Sequence, residues 1–199
     1  MSGEPSSVPS TFLASIQPIV LVGGKSIRFG RDKLREPIGS THELLVQRPI
    51  NALRSVFGPR VKLVGECDPC ILPLADGVMT DEHPGAGPIG GVVSALLSWN
   101  GPVFVLAGDL PGIRSSDVLS VVSAALVREN AWAVVAKTDR VHPCAGLYWP
   151  ACLPSLSDAI NSPDRSLRRA IPVDHVVTHL LPEFAVKNVN FRDDLASLL

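Results

Sequence analysis

A glycine-rich stretch with clustered cations, VLVGGKSIRFGRDK, occupies residues 20–33 near the start of the chain. An apolar run over residues 19–22 reaches the pair Gly23-Gly24, and Gly30 follows six residues later. A strand that opens into such a turn lets backbone N–H groups approach an anion with no Cβ in the way. The chemistry favours a polyphosphate, and it predicts a nucleoside triphosphate loop after the first strand of an α/β domain. The nearby cations are Lys25, Arg28, Arg31, Lys33 and Arg35.

Two familiar phosphate loops do not fit this stretch. Gly24-Lys25-Ser26 imitates the end of the Walker A pattern G-x-x-x-x-G-K-[ST], but the first glycine of that pattern falls on Ile19. The dinucleotide fingerprint G-x-G-x-x-G fails because Gly23 is directly followed by another glycine. The plain structural alternative is a tight strand–helix turn that carries surface charges.

A second candidate group is the carboxylate of Asp109, which follows an apolar run over residues 103–107. A run that is apolar at every position is typical of a parallel strand covered on both faces. Ligands of open α/β sheets lie at the carboxyl ends of such strands, and a carboxylate there suits Mg²⁺ together with substrate phosphates. The alternative is a turn or helix-cap aspartate before Leu110-Pro111.

A third candidate is the loop DEHPGAGPIGG at residues 81–91, which combines four glycines with two prolines. An apolar helix pattern follows at once. A glycine loop that opens a helix presents free N–H groups and the positive end of the helix dipole to a ligand. A plain turn is the alternative for this composition.

The elements that must position these groups alternate between strand and helix along the whole chain. Strands are predicted at residues 61–64, 77–80, 103–107, 131–136, 141–148, 174–181 and 186–190. Helical spacing over residues 42–57 is interrupted by Pro49, and Ser115 or Ser116 is predicted to cap a helix that ends near Asn130. A last short helix is expected at residues 191–198. This alternation predicts a three-layer α/β/α, Rossmann-like fold with a mainly parallel sheet.

Bulk properties exclude several classes of protein. The chain has 199 residues, 46% hydrophobic and 19% charged, which indicates one globular domain with a sizeable core. A net charge of −1 argues against a nucleic-acid surface. No apolar run approaches a membrane span, and no signal peptide is recognisable. Four cysteines favour a reducing cytoplasm, and Cys67 and Cys70 form a C-x-x-C whose alternatives are redox or metal chemistry and an ordinary surface loop.

The glycine-rich stretch resembles the loop L-A-G-G-x-S-x-R-M-G-x-D-K of the molybdenum cofactor guanylyltransferases, the MobA family of nucleotidyltransferases. Val22 replaces the usual alanine and Phe29 the usual methionine. The loop at 81–91 resembles the family motif D-x-x-P-G-x-G-P-L-x-G, with Ile89 for the leucine. Around Asp109 the family pattern is C-D-M-P, from which Gly108 and Leu110 depart. The positions that match the first two motifs are Leu21, Gly23, Gly24, Ser26, Arg28, Gly30, Asp32, Lys33, Asp81, Pro84, Gly85, Gly87, Pro88 and Gly91.

Two further segments extend the resemblance to roughly residues 18–195. His142-Pro143 resembles the family's H-P-L segment, and Asn188-x-Asn190 with Asp194-Leu195 resembles its closing N-x-N-x-x-x-D-L element. If Asn188 and Asn190 lie on a strand, their side chains share one face. The family implies a nucleotidyltransferase fold. The Ser/Pro-rich start of the chain predicts a flexible tail at residues 1–15, and the chain length suits a single domain at residues 16–199.

The resemblance implies that GTP and molybdenum-molybdopterin are the substrates, that Mg²⁺ binds Asp109, and that GMP is transferred with release of pyrophosphate. Cofactor-biosynthesis and chaperone proteins are expected partners. The implied catalytic residues are Arg28, Lys33 and Asp109. The implied nucleotide-binding residues are Leu21, Val22, Gly23, Gly24, Ser26, Lys33, Asp81, Gly87, Pro88 and Asp109, and the implied acceptor-binding residues are His142, Arg165, Asn188 and Asn190.

Several alternatives remain at this stage. His142 could be a structural histidine, and the arginines of residues 165–169 could form a solvated helix face. The same fold also serves cytidylyl and sugar-phosphate nucleotidyltransferases. A nucleotide-binding protein without catalysis is a further alternative of a different class.

Overall fold

The computed structural model describes residues 8–23, 32–39, 42–128 and 130–196. The predicted loop positions Gly24, Ser26, Arg28 and Gly30 lie outside these ranges. The helices are α1 (Ser10–Ser15), α2 (Gln47–Phe57), α3 (Pro88–Trp99), α4 (Ser115–Leu126), α5 (Leu153–Ile160), α6 (Leu167–Ala170) and α7 (Arg192–Ala196). The strands are β1 (Gln17–Leu21), β2 (Pro37–Ile38), β3 (Glu43–Leu44), β4 (Lys62–Val64), β5 (Val78–Met79), β6 (Val103–Ala107), β7 (Ala133–Lys137), β8 (Val141–Tyr148) and β9 (Val176–Leu180).

A seven-stranded sheet runs through the middle of the fold in the order β5-β4-β1-β6-β8-β7-β9. Neighbouring strands from β5 to β6 are parallel, and β7 and β9 are parallel to each other. Only β8 runs antiparallel to both of its neighbours among the described strands. The prediction of a mainly parallel sheet is therefore confirmed.

Two apolar clusters cover the two faces of this sheet. One cluster joins the sheet to α2 and α4 and includes the half-buried Phe12 and Leu13 of α1. The other joins the sheet to α3, α5 and α6. Strands β1 and β6 are buried at four of their five positions, because helices cover them on both sides. The arrangement is the predicted three-layer α/β/α architecture.

Local structure departs from the predictions at three places. Residues 43–44 pair as an antiparallel ribbon with residues 37–38, so the helix predicted from residue 42 begins at Gln47. Pro49 lies in the first turn of that helix, where no intrahelical N–H is needed, and does not interrupt it. The predicted serine cap of α4 was wrong, because the N-cap is Arg114. The backbone N–H of Arg114 donates to the Asp117 carboxylate at 2.9 Å.

The third departure concerns the C-terminal segment. The strand predicted at residues 186–190 is absent from the described fold, because a 3₁₀ turn occupies Glu183–Val186 and residues 187–190 have no ladder partner. At the other end, the range predicted as a tail contains α1, which packs on the core. No helix in the described ranges is long and apolar enough to cross a membrane.

Candidate active site

The site lies where the strand order of the sheet reverses. From β1 the chain passes to β4 and β5 on one side, and α3 then returns it to β6 on the other side of β1. Leu21 and Ala107 are register partners at the carboxyl ends of β1 and β6, and the Gly108 N–H donates to the Leu21 carbonyl at 3.0 Å. A crevice at such a switch point is the usual ligand site of open α/β sheets.

A cavity of about 710 Å³ opens at this edge of the sheet. This volume lies within the usual range for a small-molecule or cofactor site. Its walls come from the ends of β1 and β6, the start of α3, the start of β8, α6 and the C-terminal segment. The lining residues are Leu21, Val22, Gly23, Asp32, Lys33, Leu34, Pro88, Ala107, Gly108, Asp109, Leu110, Arg140, Val141, His142, Pro143, Cys144, Ala145, Arg168, Asn188 and Asn190.

The centre of the cavity is a network around the Asp109 carboxylate. Lys33 Nζ donates to Asp109 Oδ2 at 2.6 Å and to the Val189 carbonyl at 2.7 Å. Asn188 Nδ2 donates to Asp109 Oδ1 at 2.6 Å, and the Val189 N–H donates to the Asp109 carbonyl at 3.1 Å. Three segments that are distant in the sequence therefore meet at one carboxylate.

Lys33 is positioned by a capped turn. The 3₁₀ turn Lys33–Arg35 is capped by Asp32, whose Oδ1 accepts from the Leu34 N–H at 3.0 Å. The other oxygen, Oδ2, accepts from the Asp68 N–H at 2.9 Å. Buried Leu34 anchors the turn in the core. Asp32 thus fixes the Lys33 backbone on one side and the loop after β4 on the other.

The C-terminal segment is held against the site by a close backbone contact and a second cap. A Cβ added to Gly112 would lie 2.0 Å from the Phe184 carbonyl oxygen, so only glycine admits this approach. Asp194 Oδ2 accepts from the Asn190 and Phe191 N–H groups at 2.8 and 2.9 Å, which lowers the pKa of the Asp194 carboxyl. These contacts hold the C-terminal segment in a position where the Asn188 side chain reaches Asp109.

The loop at residues 81–91 is folded by its own polar groups. Asp81 Oδ1 accepts from the His83 N–H at 3.0 Å and lies 3.3 Å from Ser94 Oγ. Pro88 is the first residue of α3 and lines the cavity. Gly87 precedes it with φ of 77°, and neither Gly87 nor Asp81 is part of the cavity wall.

The far wall of the cavity contains His142 and Cys144 at the start of β8. His142 Nε2 lies 2.9 Å from Thr138 Oγ1, and burial together with the positive charge of Arg140 lowers the pKa of the imidazole. Burial, reinforced by the negative charge of Asp109, raises the pKa of the Cys144 thiol to about 12. Cys144 is therefore a neutral thiol at neutral pH.

Only some of the acceptor-binding residues implied by the sequence line the cavity. His142, Asn188 and Asn190 line the cavity, whereas Arg165 does not. Arg140 and Arg168 line it instead. Arg140 was missed because the turn before β8 carries no motif, and a run of three arginines gives no indication of which one faces a site.

The C-x-x-C segment is an ordinary capped turn. Asp68 caps the 3₁₀ helix Pro69–Leu74 by accepting from the Cys70 N–H at 3.0 Å. Burial raises the pKa of the Cys67 thiol to about 11, and hydrogen bonding to Asp68 raises that of Cys70. The described residues contain no group of three or more His, Cys, Asp or Glu side chains able to hold a metal ion.

Fold and site together define an α/β protein with a cation–carboxylate pair at the carboxyl edge of its sheet. The sequence profile of the MobA-like NTP transferase domain matches residues 18–178. The chain belongs to this family of nucleotidyltransferases.

Two relatives and two solved structures illustrate the similarity. The chain is 30% identical to a Rhodopirellula baltica protein named "Probable molybdenum cofactor guanylyltransferase", over 98% of this chain and 97% of that protein. An Aquifex aeolicus protein of the same name is 30% identical over 90% and 88%. The crystal structure of Aq1419 from Aquifex aeolicus VF5 superposes with a TM-score of 0.71 at 28% identity, covering 90% of this chain and 95% of that one.

A second solved structure agrees in fold. The molybdopterin-guanine dinucleotide biosynthesis protein A of Archaeoglobus fulgidus superposes with a TM-score of 0.69 at 22% identity, covering 91% of this chain and 95% of that one.

Proposed function

We propose that this protein transfers GMP from GTP to the terminal phosphate of molybdenum-bound molybdopterin. The observation that carries the proposal is the Lys33–Asp109 pair at the switch point, in a chain aligned almost end to end with a relative named for this activity. The names of further relatives, from Opitutus terrae and Rhizobium leguminosarum, state the same activity. The cytoplasm is the compartment that we propose, since the four cysteines are free thiols.

The transfer is a single displacement at the α-phosphorus of GTP. An oxygen of the acceptor phosphate attacks the α-phosphorus of GTP, and a new phosphorus–oxygen bond forms. The bond from the α-phosphorus to the bridging oxygen of the β-phosphate breaks, and pyrophosphate leaves with that electron pair. Such a transfer depends mainly on positioning and on stabilising negative charge. No covalent enzyme intermediate is required.

Lys33 supplies positive charge at the point where the phosphates must lie. Its ammonium group is held by Asp109 and the Val189 carbonyl, so its position is set before a substrate arrives. A preorganised cation next to developing charge lowers the barrier without reorganisation at the moment of reaction. We assign Gly23, Leu21 and Val22, at the end of β1, to the nucleotide side of the cavity.

Asp109 fits a magnesium ion by its chemistry and surroundings. Each Asp109 oxygen accepts one hydrogen bond, from Lys33 or Asn188, and keeps a further lone pair for a metal ion. Mg²⁺ commonly takes one or two carboxylates together with substrate phosphates. When bound there, Mg²⁺ would neutralise phosphate charge. Asn188 holds the Asp109 carboxylate through Oδ1 and so fixes its orientation in the cavity.

Cytidylyl transfer is the second candidate, because the Lys33–Asp109 pair would serve any nucleoside triphosphate and does not select the base. The 4-diphosphocytidyl-2C-methyl-D-erythritol synthase of Anaerococcus prevotii superposes with a TM-score of 0.71, but at 10% identity this shows the fold alone. The two candidates differ in the nucleotide that the β1 side of the cavity accepts.

Thermal unfolding with GTP, CTP, ATP and UTP, each with and without Mg²⁺, separates the candidates. A ligand at a hundredfold excess over its Kd adds about 2.7 kcal/mol of apparent stability. We expect GTP alone to raise Tm, with a larger increase when Mg²⁺ is present. An increase with CTP alone would overturn guanylyl transfer and retain the fold. Product analysis after incubation with GTP and molybdopterin then tests the transfer itself.

A further inference from the structure

Most arginines of the described ranges are already engaged by protein groups. Arg54 forms two hydrogen bonds with Asp76, and Arg169 lies 3.2 Å from Asp164. Arg60 donates to backbone carbonyls, and Arg114 lies over the Phe184 ring. Arg35 and Arg48 pair with carboxylates.

Arg140 and Arg168 differ from these residues. Both are exposed, both line the cavity, and neither guanidinium has an ion pair or hydrogen bond with any other described residue. The acid next to Arg140, Asp139, accepts the Thr138 hydroxyl at 2.7 Å. Two acids line the cavity, and both already have partners. Asp32 accepts from two backbone N–H groups, and Asp109 accepts from Lys33 and Asn188.

Two different elements bring these arginines to one wall. Arg140 ends the turn between β7 and β8, whose Thr138 N–H donates to the Arg140 carbonyl at 2.9 Å. Arg168 follows Leu167, whose buried side chain fixes α6 in the apolar cluster beneath β8. Because α6 packs on β8, both arginines line the same cavity, and neither guanidinium contacts a carboxylate of the described residues.

The two arginines lie on the opposite side of Asp109 from the end of β1. Along the sheet edge the order is β1, then β6, then β8, so Asp109 stands between the β1 end and the arginines. Strands are spaced by about 4.8 Å, which places β8 roughly 10 Å from β1. This distance accommodates a triphosphate on the β1 side and a second phosphate on the β8 side, with the reacting phosphorus near Asp109.

We propose that Arg140 and Arg168 bind the phosphate monoester of the acceptor on the β8 side of Asp109, so that the acceptor enters between the β7–β8 turn and α6. This inference rests on the proposed function and extends it by assigning the acceptor's position. A guanidinium offers paired N–H donors that match phosphate oxygens. Two such groups orient the attacking oxygen towards the α-phosphorus. In this arrangement Arg165 makes no contact with the acceptor.

The test compares R140Q, R168Q and the double variant with the wild-type enzyme. Initial rates are measured against molybdopterin at saturating GTP and Mg²⁺, and GTP affinity is measured separately by calorimetry. We expect the KM for molybdopterin to rise roughly 10- to 100-fold in each single variant, as for a lost charge-assisted hydrogen bond. GTP affinity should not change. Because both arginines hold one phosphate, the effects of the two substitutions should be non-additive.

R169Q is the matched control. It removes the same charge from the same helix, but Arg169 faces Asp164 and does not line the cavity. Its KM for molybdopterin should equal that of the wild type. R165Q distinguishes the structural assignment from the one implied by the sequence. A raised KM in R165Q with normal values in R140Q and R168Q would overturn the inference, and so would weakened GTP binding in the latter two.

Equilibrium dialysis with molybdopterin separates failure of this inference from failure of the proposed function. If the wild type turns over and R140Q and R168Q bind molybdopterin normally, only the arginine assignment is wrong. If the wild type forms no guanylylated product and does not bind molybdopterin, both statements fail. If it binds molybdopterin without turnover, reduced binding by R140Q and R168Q still supports the site.

Discussion

Lys33 and Asp109 lie 76 positions apart in the sequence, and their side chains form an ion pair of 2.6 Å. The pair joins the turn after the β1 loop to the carboxyl end of β6. Its carboxylate also accepts from Asn188, which brings the C-terminal segment into the same contact. One carboxylate therefore fixes three parts of the site, and the following predictions test what each part does.

Asp109→Asn should leave the protein folded and lower kcat by at least about 100-fold, because the charge that orients Lys33 and suits Mg²⁺ is lost. The loss of unfolding free energy should be only about 1–2 kcal/mol. Steady-state kinetics and urea unfolding measure the two effects. Asp158→Asn, an exposed position on α5, removes the same charge and should have wild-type activity. Normal turnover of Asp109→Asn would sink the assignment of the metal to this carboxylate.

Asn188→Ala should lower activity because the Asp109 carboxylate loses its fixed orientation, and not because the acceptor binds more weakly. The lost contact is the 2.6 Å hydrogen bond that orients the carboxylate. Loss of such an outer partner typically costs about 10- to 100-fold in metal affinity or activity. A titration of activity against Mg²⁺ should therefore show a higher requirement with little change in the KM for molybdopterin. The opposite pattern would place Asn188 on the acceptor, as the sequence resemblance implies.

Gly112→Ala should destabilise the protein and detach the C-terminal segment from the site. The new Cβ would lie 2.0 Å from the Phe184 carbonyl oxygen, and backbone atoms cannot move aside easily. We expect a loss of about 1–3 kcal/mol in unfolding free energy together with lower activity. Gly91→Ala is the comparison, since its Cβ would meet the flexible end of Leu21 at 2.7 Å. Its loss should be smaller, and equal losses by urea unfolding would contradict this explanation.

His142 should make the folded state less stable in mild acid. Burial, with the charge of Arg140, holds the pKa of His142 below its ordinary value of 6.5. The unfolded chain therefore binds more protons, and the unfolding free energy falls as pH drops from about 6.5 towards the lowered pKa. His142→Gln should flatten this part of the stability curve, as measured by urea unfolding at a series of pH values.

His179 provides the comparison for this pH effect. Burial also lowers the pKa of His179, but this residue lies on β9 and does not line the cavity. His179→Gln should flatten the same pH range while leaving GTP-dependent stabilisation intact. An unchanged pH slope in both variants would show that neither imidazole resists protonation in the folded state.

Much of the fold follows from local pattern. The run at residues 103–107 is apolar at every position, and the structure has β6 with these bounds. The helix predicted from residue 42 is shorter because Glu43 and Leu44 pair with a segment that local periodicity cannot reveal. The strand predicted around Asn188 does not form, because residues 187–190 have no ladder partner and the Val189 N–H donates to the Asp109 carbonyl instead. Pairing partners are a property of the whole chain.

The sequence by itself determined the seven strands of the central sheet, the family and the chemical types at the site: a cation at Lys33, a carboxylate at Asp109 and amides at the C-terminal end. These features follow from residue type and from spacing within one segment. Only the tertiary structure decided that Asn188 contacts Asp109, that Arg168 and not Arg165 lines the cavity, and that Arg140 joins it. Those contacts depend on strand order and helix docking, which the packing of distant apolar residues fixes.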